Sequence, residues 1–226
     1  MIFKNKTVVI TGAASGIGYA LAKLLANKEA KVISFDIKEP LTHLVGVQYE
    51  KIDITKSAQI KKGLDKIKEP IDILINNAGV MRRGELLESS EEDFDLLFDA
   101  QVKGTWLMIK NAKSKLTNNA TILQMSSRHG LSLPSDPAIY GLCNSMIHEM
   151  SEILKNNYPH YKVKVAYPGP IDTELSKYGC GEEDWEKKKE IMHTPAFLAE
   201  KLLELLGNEE KSKLVFNEED NEYYFE

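Results

Sequence analysis

Three closely spaced glycines, Gly12, Gly16 and Gly18, separate a β-branched run at residues 7–10 from a segment whose apolar residues recur with helical spacing. In a strand–turn–helix unit the first glycine makes a tight turn, the second leaves room for a diphosphate, and the third lets the helix pack closely. The helix begins near Ile17, so its free N–H groups and positive end would face the phosphates. An ordinary glycine turn between a strand and a helix is the alternative.

A carboxylate stands where a dinucleotide site would need one. Asp36 follows the apolar strand at residues 31–35 and lies 20 residues after Gly16. An acid in this place holds the adenosine ribose hydroxyls and repels a 2′-phosphate, so the sequence favours NAD(H) over NADP(H). Ser15 adds no cation to offset this preference, and Lys38 is the nearby residue that could soften it. A solvated acid at a strand end is the alternative interpretation.

Apolar runs typical of strands alternate with amphipathic segments typical of helices. The run at 71–75 is too apolar for a strand with one wet face, and it predicts a central parallel strand covered on both sides. The alternation predicts an α/β fold with a doubly wound parallel sheet of about seven strands and helices on both faces. Strands are expected at residues 7–10, 31–35, 48–52, 71–75, 121–125, 163–167 and 214–216, and residues 222–225 are expected to pair back as a hairpin.

Length, charge and cysteine usage narrow the class of protein. A chain of 226 residues predicts one domain over residues 1–226. The net charge is −5 with dispersed Lys and Arg, which argues against nucleic acid as a partner. The apolar runs are too short to span a membrane, and the sequence shows no signal peptide. Cys143 and Cys180 lack metal-ligand spacing, so we expect no metal site and a reducing, cytoplasmic location.

The motifs together resemble the short-chain dehydrogenase/reductase family. The similarity covers roughly residues 5–175 and includes the glycine turn, Asp36, Asp53-Ile54 and the Asn76–Gly79 stretch. Further on, the family pattern is matched by Ser127, by Tyr140 thirteen residues later, and by residues 168–173. The resemblance implies a Rossmann fold and hydride transfer between a nicotinamide and a small carbonyl or alcohol substrate.

The resemblance also assigns roles to individual positions. Tyr140 would give or accept the proton, Ser127 would hold the substrate oxygen, and Asn144 and Gln101 occupy the other two catalytic positions. The residues that it implies for cofactor binding are Gly12, Ser15, Gly16, Ile17, Gly18, Asp36, Asp53, Ile54, Asn77, Ala78, Gly79, Tyr140, Asn144, Pro168, Gly169, Ile171 and Thr173.

Two catalytic positions depart from the family pattern. The family has a lysine four residues after the tyrosine, where this chain has Asn144, and an asparagine where it has Gln101. A free tyrosine titrates near pH ~10, and a lysine cation at ~4 Å would contribute roughly 4 kcal/mol at an effective dielectric constant of about 20. Asn144 cannot supply this charge, although it can hydrogen-bond the nicotinamide ribose. We therefore expect alcohol oxidation to be impaired more than ketone reduction.

Other side chains could supply a substitute cation near Tyr140, and the sequence favours none of them. The candidates are Arg128, His129, His148 and Lys103.

Three hypotheses of function remain open at this point. The first is an NAD(H)-dependent oxidoreductase, which the Ser127 and Tyr140 spacing favours. The second is a catalytically impaired NAD(H)-binding protein with a sensing or scaffolding role, which Asn144 and Gln101 favour. The third is a nucleotide-independent interaction domain, which requires the glycine turn and Asp36 both to be accidental.

Two further expectations concern the surroundings of the site. Residues 174–193 are polar and charged, and they predict a mobile lid over the substrate, with Trp185 as an alternative anchor to the body. The helix beginning at Ser90 has an apolar stripe that predicts either core or a helix–helix contact. The resemblance implies a homodimer or homotetramer built on such helices.

Overall fold

The computed structural model describes residues 2–180, 185 and 188–226, and its centre is one eight-stranded sheet. The strand order is β3-β2-β1-β4-β5-β6-β7-β8, with every neighbouring pair parallel except β7 and β8. The strands are β1 (Thr7–Thr11), β2 (Lys31–Asp36), β3 (Val47–Lys51), β4 (Ile71–Asn76), β5 (Leu116–Met125), β6 (Lys162–Tyr167), β7 (Lys213–Asn217) and β8 (Glu222–Phe225).

Helices cover both faces of this sheet. They are α1 (Gly16–Asn27), α2 (Ser57–Asp65), α3 (Glu91–Leu97), a π-helical segment (Phe98–Lys103), α4 (Gly104–Ala112), α5 (His129–Ser132), α6 (Ala138–Asn157), α7 (Glu174–Cys180) and α8 (Pro195–Gly207). Asp93 N–H donates to Ser90 Oγ at 3.1 Å, and Phe197 N–H donates to Thr194 Oγ1 at 3.1 Å. These side chains satisfy free N–H groups at the starts of α3 and α8.

The alternation of side chains along β1 separates two cores. Val8 and Ile10 point to the face covered by α1 and α8, whereas Val9 points to the face covered by α2 and α4. Successive residues of a strand face opposite sides of a sheet, so a strand buried on both sides must be apolar throughout. The expected doubly wound α/β architecture is therefore confirmed.

The site is located by the order of the strands. From β1 the chain builds outward to β2 and β3, and then crosses to β4 on the other side of β1. The loops that leave β1 and β4 diverge at this reversal, which opens a crevice beyond the carboxyl ends of the strands. The glycine turn follows β1, and residues 76–79 follow β4, so both motifs meet there.

Several element boundaries differ from the sequence expectations. The amphipathic pattern of residues 57–68 predicts one helix, but α2 ends at Asp65, because the N–H of Ile67 bonds the carbonyl of Leu64 in a tighter turn that buries the Ile67 side chain. β5 begins at Leu116, five residues earlier than expected, because Leu116 pairs with Ile71 across a register shift. The sheet has eight strands rather than about seven, since the expected hairpin adds β8.

The structure describes only some of residues 174–193, the segment predicted to form a lid. α7 covers the start of the segment, and Trp185 is buried. Residues 181–184 and 186–187 lie outside the described residues. At the far end, His193 forms an isolated parallel bridge with Ile171, which ties that end of the segment to the loop after β6.

Candidate functional site

An open cleft of about 1680 Å³ runs along the carboxyl edge of the sheet. It is lined by every residue that the sequence analysis assigned to catalysis or cofactor binding, except Gly18. Positions as distant in sequence as Gly12 and Thr173 therefore share one concave surface. The part of the chain that the structure describes has no helix long and apolar enough to cross a membrane, and no group of acidic, histidine or cysteine side chains suited to a metal.

The glycine turn has the shape that the sequence pattern predicts. Gly12 and Gly16 have φ values of +70° and +57°, which residues other than glycine rarely adopt. A Cβ on Gly18 would lie 2.3 Å from the carbonyl oxygen of Gly12. Gly18 thus brings α1 close to the turn without lining the cleft, and the N-terminus of α1 stays open toward it.

Thr11 and Asn77 hold this turn in place. The Asn77 Nδ2 group donates to the carbonyl oxygens of Thr11 and Gly12 at 3.0 and 2.9 Å. The backbone N–H groups of Asn77 and Ala78 both donate to Thr11 Oγ1 at 3.0 Å. Asn77 therefore shapes the cofactor cleft through the turn. Sequence reasoning missed the role of Thr11, because its partners lie 66 and 67 residues away.

Asp36 connects the end of β2 to the same turn. Its Oδ2 accepts the N–H of Ala14 at 2.9 Å, and its Oδ1 accepts the N–H of Lys38 at 2.9 Å. A carboxylate oxygen can accept more than one hydrogen bond, so both oxygens retain capacity for ribose hydroxyls. Asp36 lies in the cleft wall, and these two bonds fix its orientation there.

Asp53 and Ile54 form the cleft wall after β3. Asp53 Oδ1 accepts both the N–H and the hydroxyl of Thr55, at 2.9 and 2.7 Å. Ile54 is buried and packs closely on Gly104, since a Cβ on Gly104 would lie 2.8 Å from Ile54 Cδ1. The fixed loop presents an apolar side chain beside an acid, a suitable surface for an adenine ring.

Ser127, Tyr140 and Asn144 converge in the cleft. Ser127 follows β5, and its Oγ accepts the N–H of His129 at 3.2 Å. Tyr140 lies in the first turn of α6 and Asn144 one turn later. Burial raises the pKa of Tyr140, and hydrogen bonds with the Ser127 and Asn144 side chains oppose the rise without cancelling it. The phenol is therefore neutral at pH 7.

The two departures from the family pattern are both buried at this point. Asn144 is 3% exposed, and its Nδ2 donates to the carbonyl oxygen of Tyr140 at 2.8 Å. Gln101 lies in the π-helical segment, where π-type turns often mark functional sites. Its Oε1 is buried and has no hydrogen-bond partner among the described residues. A Cβ on Gly79 would lie 3.6 Å from Gln101 Cγ, which places Gln101 against the loop after β4.

The four candidate substitute cations do not provide an unpaired charge at Tyr140. Burial and the nearby Arg128 cation lower the pKa of His129 to about 4, so its imidazole is neutral at pH 7. Arg128 is paired with Glu218, and Lys103 is paired with Asp99. The remaining candidate, His148, bonds the hydroxyl of Tyr167 through Nδ1 at 2.5 Å. The missing lysine is thus not replaced by any of these four side chains.

The loop after β6 forms the opposite end of the cleft, where the resemblance places the nicotinamide. The Gly169 N–H donates to the hydroxyl of Tyr223 at 3.0 Å, and a Cβ on Gly169 would meet the ring of Phe216 at 2.4 Å. Thr173 Oγ1 accepts the N–H of Ser176 at 3.2 Å. The C-terminal hairpin therefore supports this loop. No local signal could have indicated it, since Tyr223 lies 54 residues from Gly169.

Comparisons with known proteins identify the family of this chain. A family model described as short chain dehydrogenase matches residues 6–183. Dehydrogenase/reductase SDR family member 6 of Rattus norvegicus is 38% identical over 179 residues, covering 75% of this chain and 73% of that protein. An NAD-dependent glycerol dehydrogenase of Listeria innocua is 31% identical over 207 residues, covering 85% of this chain and 81% of that protein.

A solved structure shows the same architecture. Ligand-free aldohexose dehydrogenase of Thermoplasma acidophilum superposes with a TM-score of 0.80 at 22% sequence identity, covering 89% of this chain and 87% of that chain. At this level of identity the likeness concerns the fold, which is the Rossmann-like α/β fold expected from the strand and helix pattern.

Proposed function

The chain belongs to the short chain dehydrogenase family, and on that premise we propose that it is an NAD(H)-dependent oxidoreductase acting on a small carbonyl or alcohol. Relatives in this family are named as oxidoreductases and dehydrogenases. The observation that carries the proposal is the convergence of Ser127 and Tyr140 in the cleft that also holds the glycine turn and Asp36.

We propose that a nicotinamide dinucleotide binds along the length of the cleft. The positive φ values at Gly12 and Gly16 leave the N-terminus of α1 uncovered for the diphosphate. Asp36 would hold the adenosine ribose, and its charge would repel the 2′-phosphate of NADP(H). The loop at 168–173 would hold the nicotinamide, which supplies or accepts the hydride.

The side chains of this protein perform the proton chemistry. As a substrate carbonyl gains negative charge, the neutral Tyr140 hydroxyl donates a proton to its oxygen. The Ser127 hydroxyl donates a hydrogen bond to the same oxygen and stabilises the developing charge. Because burial raises the pKa of Tyr140, its hydroxyl is fully protonated at pH 7. The protonation state of Tyr140 that ketone reduction requires is therefore already populated at pH 7.

Oxidation of an alcohol requires the opposite role from Tyr140. The phenolate must take a proton, and a raised pKa leaves very little phenolate at pH 7. In this structure Asn144 supplies a hydrogen bond where the family has a cation. The same substitution supports the second candidate function, an NAD(H)-binding protein of impaired activity.

The first experiment measures cofactor binding. Titration calorimetry with NADH and NADPH is expected to show tighter binding of NADH. The substitution Asp36→Asn keeps an oxygen for the Ala14 N–H but removes the charge, and should reduce the discrimination between the cofactors by about tenfold or more. Asp65→Ala, at an exposed position outside the cleft, is the matched control. If the wild type takes up neither cofactor, the proposed function is wrong.

The second experiment separates the enzyme from the impaired binding protein. Oxidation of NADH at 340 nm is followed with a panel of small ketones and aldehydes. Tyr140→Phe is expected to lower turnover by about hundredfold or more. Tyr224→Phe, on the exposed face of β8, should leave it unchanged. NADH binding without turnover of any panel member would favour the sensing or scaffolding role.

We also propose that the chain forms a homodimer or homotetramer. Phe94, Trp106 and Leu142 are exposed apolar side chains on α3, α4 and α6, and α3 contacts α6. Large exposed apolar surfaces often mark interfaces between proteins. Light scattering after gel filtration tests this proposal, and Trp106→Glu should shift the mass toward that of one chain. A monomeric wild type would contradict it.

A further inference from the structure

The hairpin of β7 and β8 is attached to the cleft at three points. Its turn, residues 218–221, contributes Glu218 to an ion pair with Arg128. The carbonyl oxygen of Asn221 bonds His193 Nε2 at 2.8 Å, and the Tyr223 hydroxyl accepts the Gly169 N–H. These contacts reach three separate segments around the site. The hairpin turn is thereby held as part of the cleft wall, which Glu218 and Asn221 both line.

Arg128 occupies a chemically sensitive position in that wall. It follows Ser127 directly, and its backbone N–H donates to the carbonyl oxygen of Pro168 at 3.0 Å. Arg128 and Glu218 both line the cleft, and the Arg128 guanidinium is paired with the Glu218 carboxylate. A guanidinium matches a carboxylate in shape and can bond it through two N–H groups. Unpaired, Arg128 would therefore attract a carboxylate to the neighbourhood of Ser127.

Two other arginines of the same cleft are also paired with acids. Arg83 pairs with Asp136 at 2.6 Å, and Arg82 pairs with Asp93 at 3.1 Å. Glu218 differs from these acids because it belongs to the C-terminal hairpin, far in sequence from the arginine that it neutralises. The hairpin thus brings in a negative charge that offsets the Arg128 charge in the wall beside Ser127.

We infer that Glu218 is a specificity-determining residue that keeps Arg128 occupied and so selects uncharged carbonyl substrates over oxo acids. The inference rests on the proposed function and deepens it. A substrate carboxylate would have to displace the Glu218 carboxylate and would be repelled by it. A neutral substrate meets no such competition. The Glu218 side chain is 58% exposed, so it can be removed without opening the core.

The test compares compounds that differ in charge alone. Pyruvate is paired with pyruvamide, and levulinate with levulinamide, and kcat/KM is measured with NADH for each. Glu218→Gln is expected to raise the acid-to-amide ratio by about tenfold or more, because a charge-assisted bond to Arg128 becomes available. Glu219→Gln, the adjacent exposed acid on the same turn, should leave the ratio unchanged. Combining Glu218→Gln with Arg128→Met should return the ratio to that of the wild type.

A binding measurement makes the result independent of turnover. Calorimetry of levulinate and levulinamide, with and without NADH, is expected to show levulinate binding gained in Glu218→Gln and absent in the double variant. If Glu218→Gln reduces the amides and leaves the ratio unchanged, the inference is overturned while the proposed function stands. If no variant turns over any compound, calorimetry decides the inference, and equal levulinate binding in wild type and Glu218→Gln overturns it. A wild type that binds no NADH in the same calorimetry would instead overturn the proposed function.

Discussion

A cation placed one helical turn after Tyr140 should increase the rate of alcohol oxidation more than the rate of ketone reduction. The substitution is Asn144→Lys. Asn144 is 3% exposed and lies within hydrogen-bonding reach of Tyr140, so a lysine ammonium there would sit in a place shielded from solvent. We expect the cation to lower the raised pKa of Tyr140 and to populate the phenolate that alcohol oxidation requires.

The expected size follows from the spacing. A cation at ~4 Å in a site of effective dielectric constant about 20 stabilises the phenolate by roughly 4 kcal/mol, or about three pKa units at 1.36 kcal/mol each. Burial of the ammonium offsets part of this gain, as does loss of the hydrogen bond between the Asn144 and Tyr140 side chains, which lowers the pKa of Tyr140. A shift of about two units is the realistic expectation, which corresponds to about 100-fold more phenolate at pH 7.

Two assays measure this change. The first is the pH dependence of NAD⁺-driven oxidation of small secondary alcohols, which should shift toward lower pH with a smaller gain in reduction. The second needs no substrate, because tyrosinate absorbs at 295 nm. The pH titration of Asn144→Lys is compared with the same variant carrying Tyr140→Phe. Asn144→Met, which has a long uncharged side chain, is the control for packing. Coincident profiles for the lysine and methionine variants would refute the reasoning.

Three further outcomes are expected. A Cβ on Gly18 would lie 2.3 Å from a backbone carbonyl oxygen, so Gly18→Ala should destabilise the fold by about 1–3 kcal/mol and weaken NADH binding, as thermal melts and calorimetry would show. The folded pKa of His129 is about 4 against an ordinary value of 6.5, so the unfolded chain binds a proton that the folded chain excludes. The free energy of unfolding therefore decreases as pH falls from 6.5 toward 4. In denaturant melts this decrease should be about 1–2 kcal/mol smaller for His129→Gln than for the wild type, after allowance for solvent screening. Tyr223→Phe removes the acceptor for a nicotinamide-loop N–H, and should raise the KM for NADH about three- to tenfold while costing about 1 kcal/mol of stability.

The first two of these predictions have matched control variants, and the third has an outcome that would contradict it. Gly207→Ala places a methyl where the nearest atom is 3.7 Å away, and equal losses for it and Gly18→Ala would contradict the crowding argument. His160→Gln tests an exposed histidine, and an acid profile for His129→Gln identical to the wild type would show that His129 is not the group responsible. For Tyr223→Phe, an unchanged KM accompanied by lower stability would assign the hydroxyl a purely structural role.

Local patterns of the sequence were sufficient for the framework of the site. The apolar β1 strand, the three glycines after it and Asp36 at the end of β2 specify a strand–turn–helix unit and an acid beside it. Their physical requirements are local, since strand periodicity, positive φ at glycine and the free N–H groups of a helix start depend on neighbouring residues. Burial of residues 71–75 on both faces likewise followed from their composition.

The sequence alone predicted the doubly wound sheet, the glycine turn and Asp36, and the family resemblance added Ser127 and Tyr140 to the same site. Only the tertiary structure decided which side chains of the site are charged and which of these charges are paired. It made His129 neutral by burial, paired Arg128 with Glu218, and placed the Tyr223 hydroxyl on Gly169. These properties depend on contacts between residues far apart in the chain and on the exclusion of water. Spacing along a sequence encodes neither of them, because both arise only when residues far apart in the chain pack together.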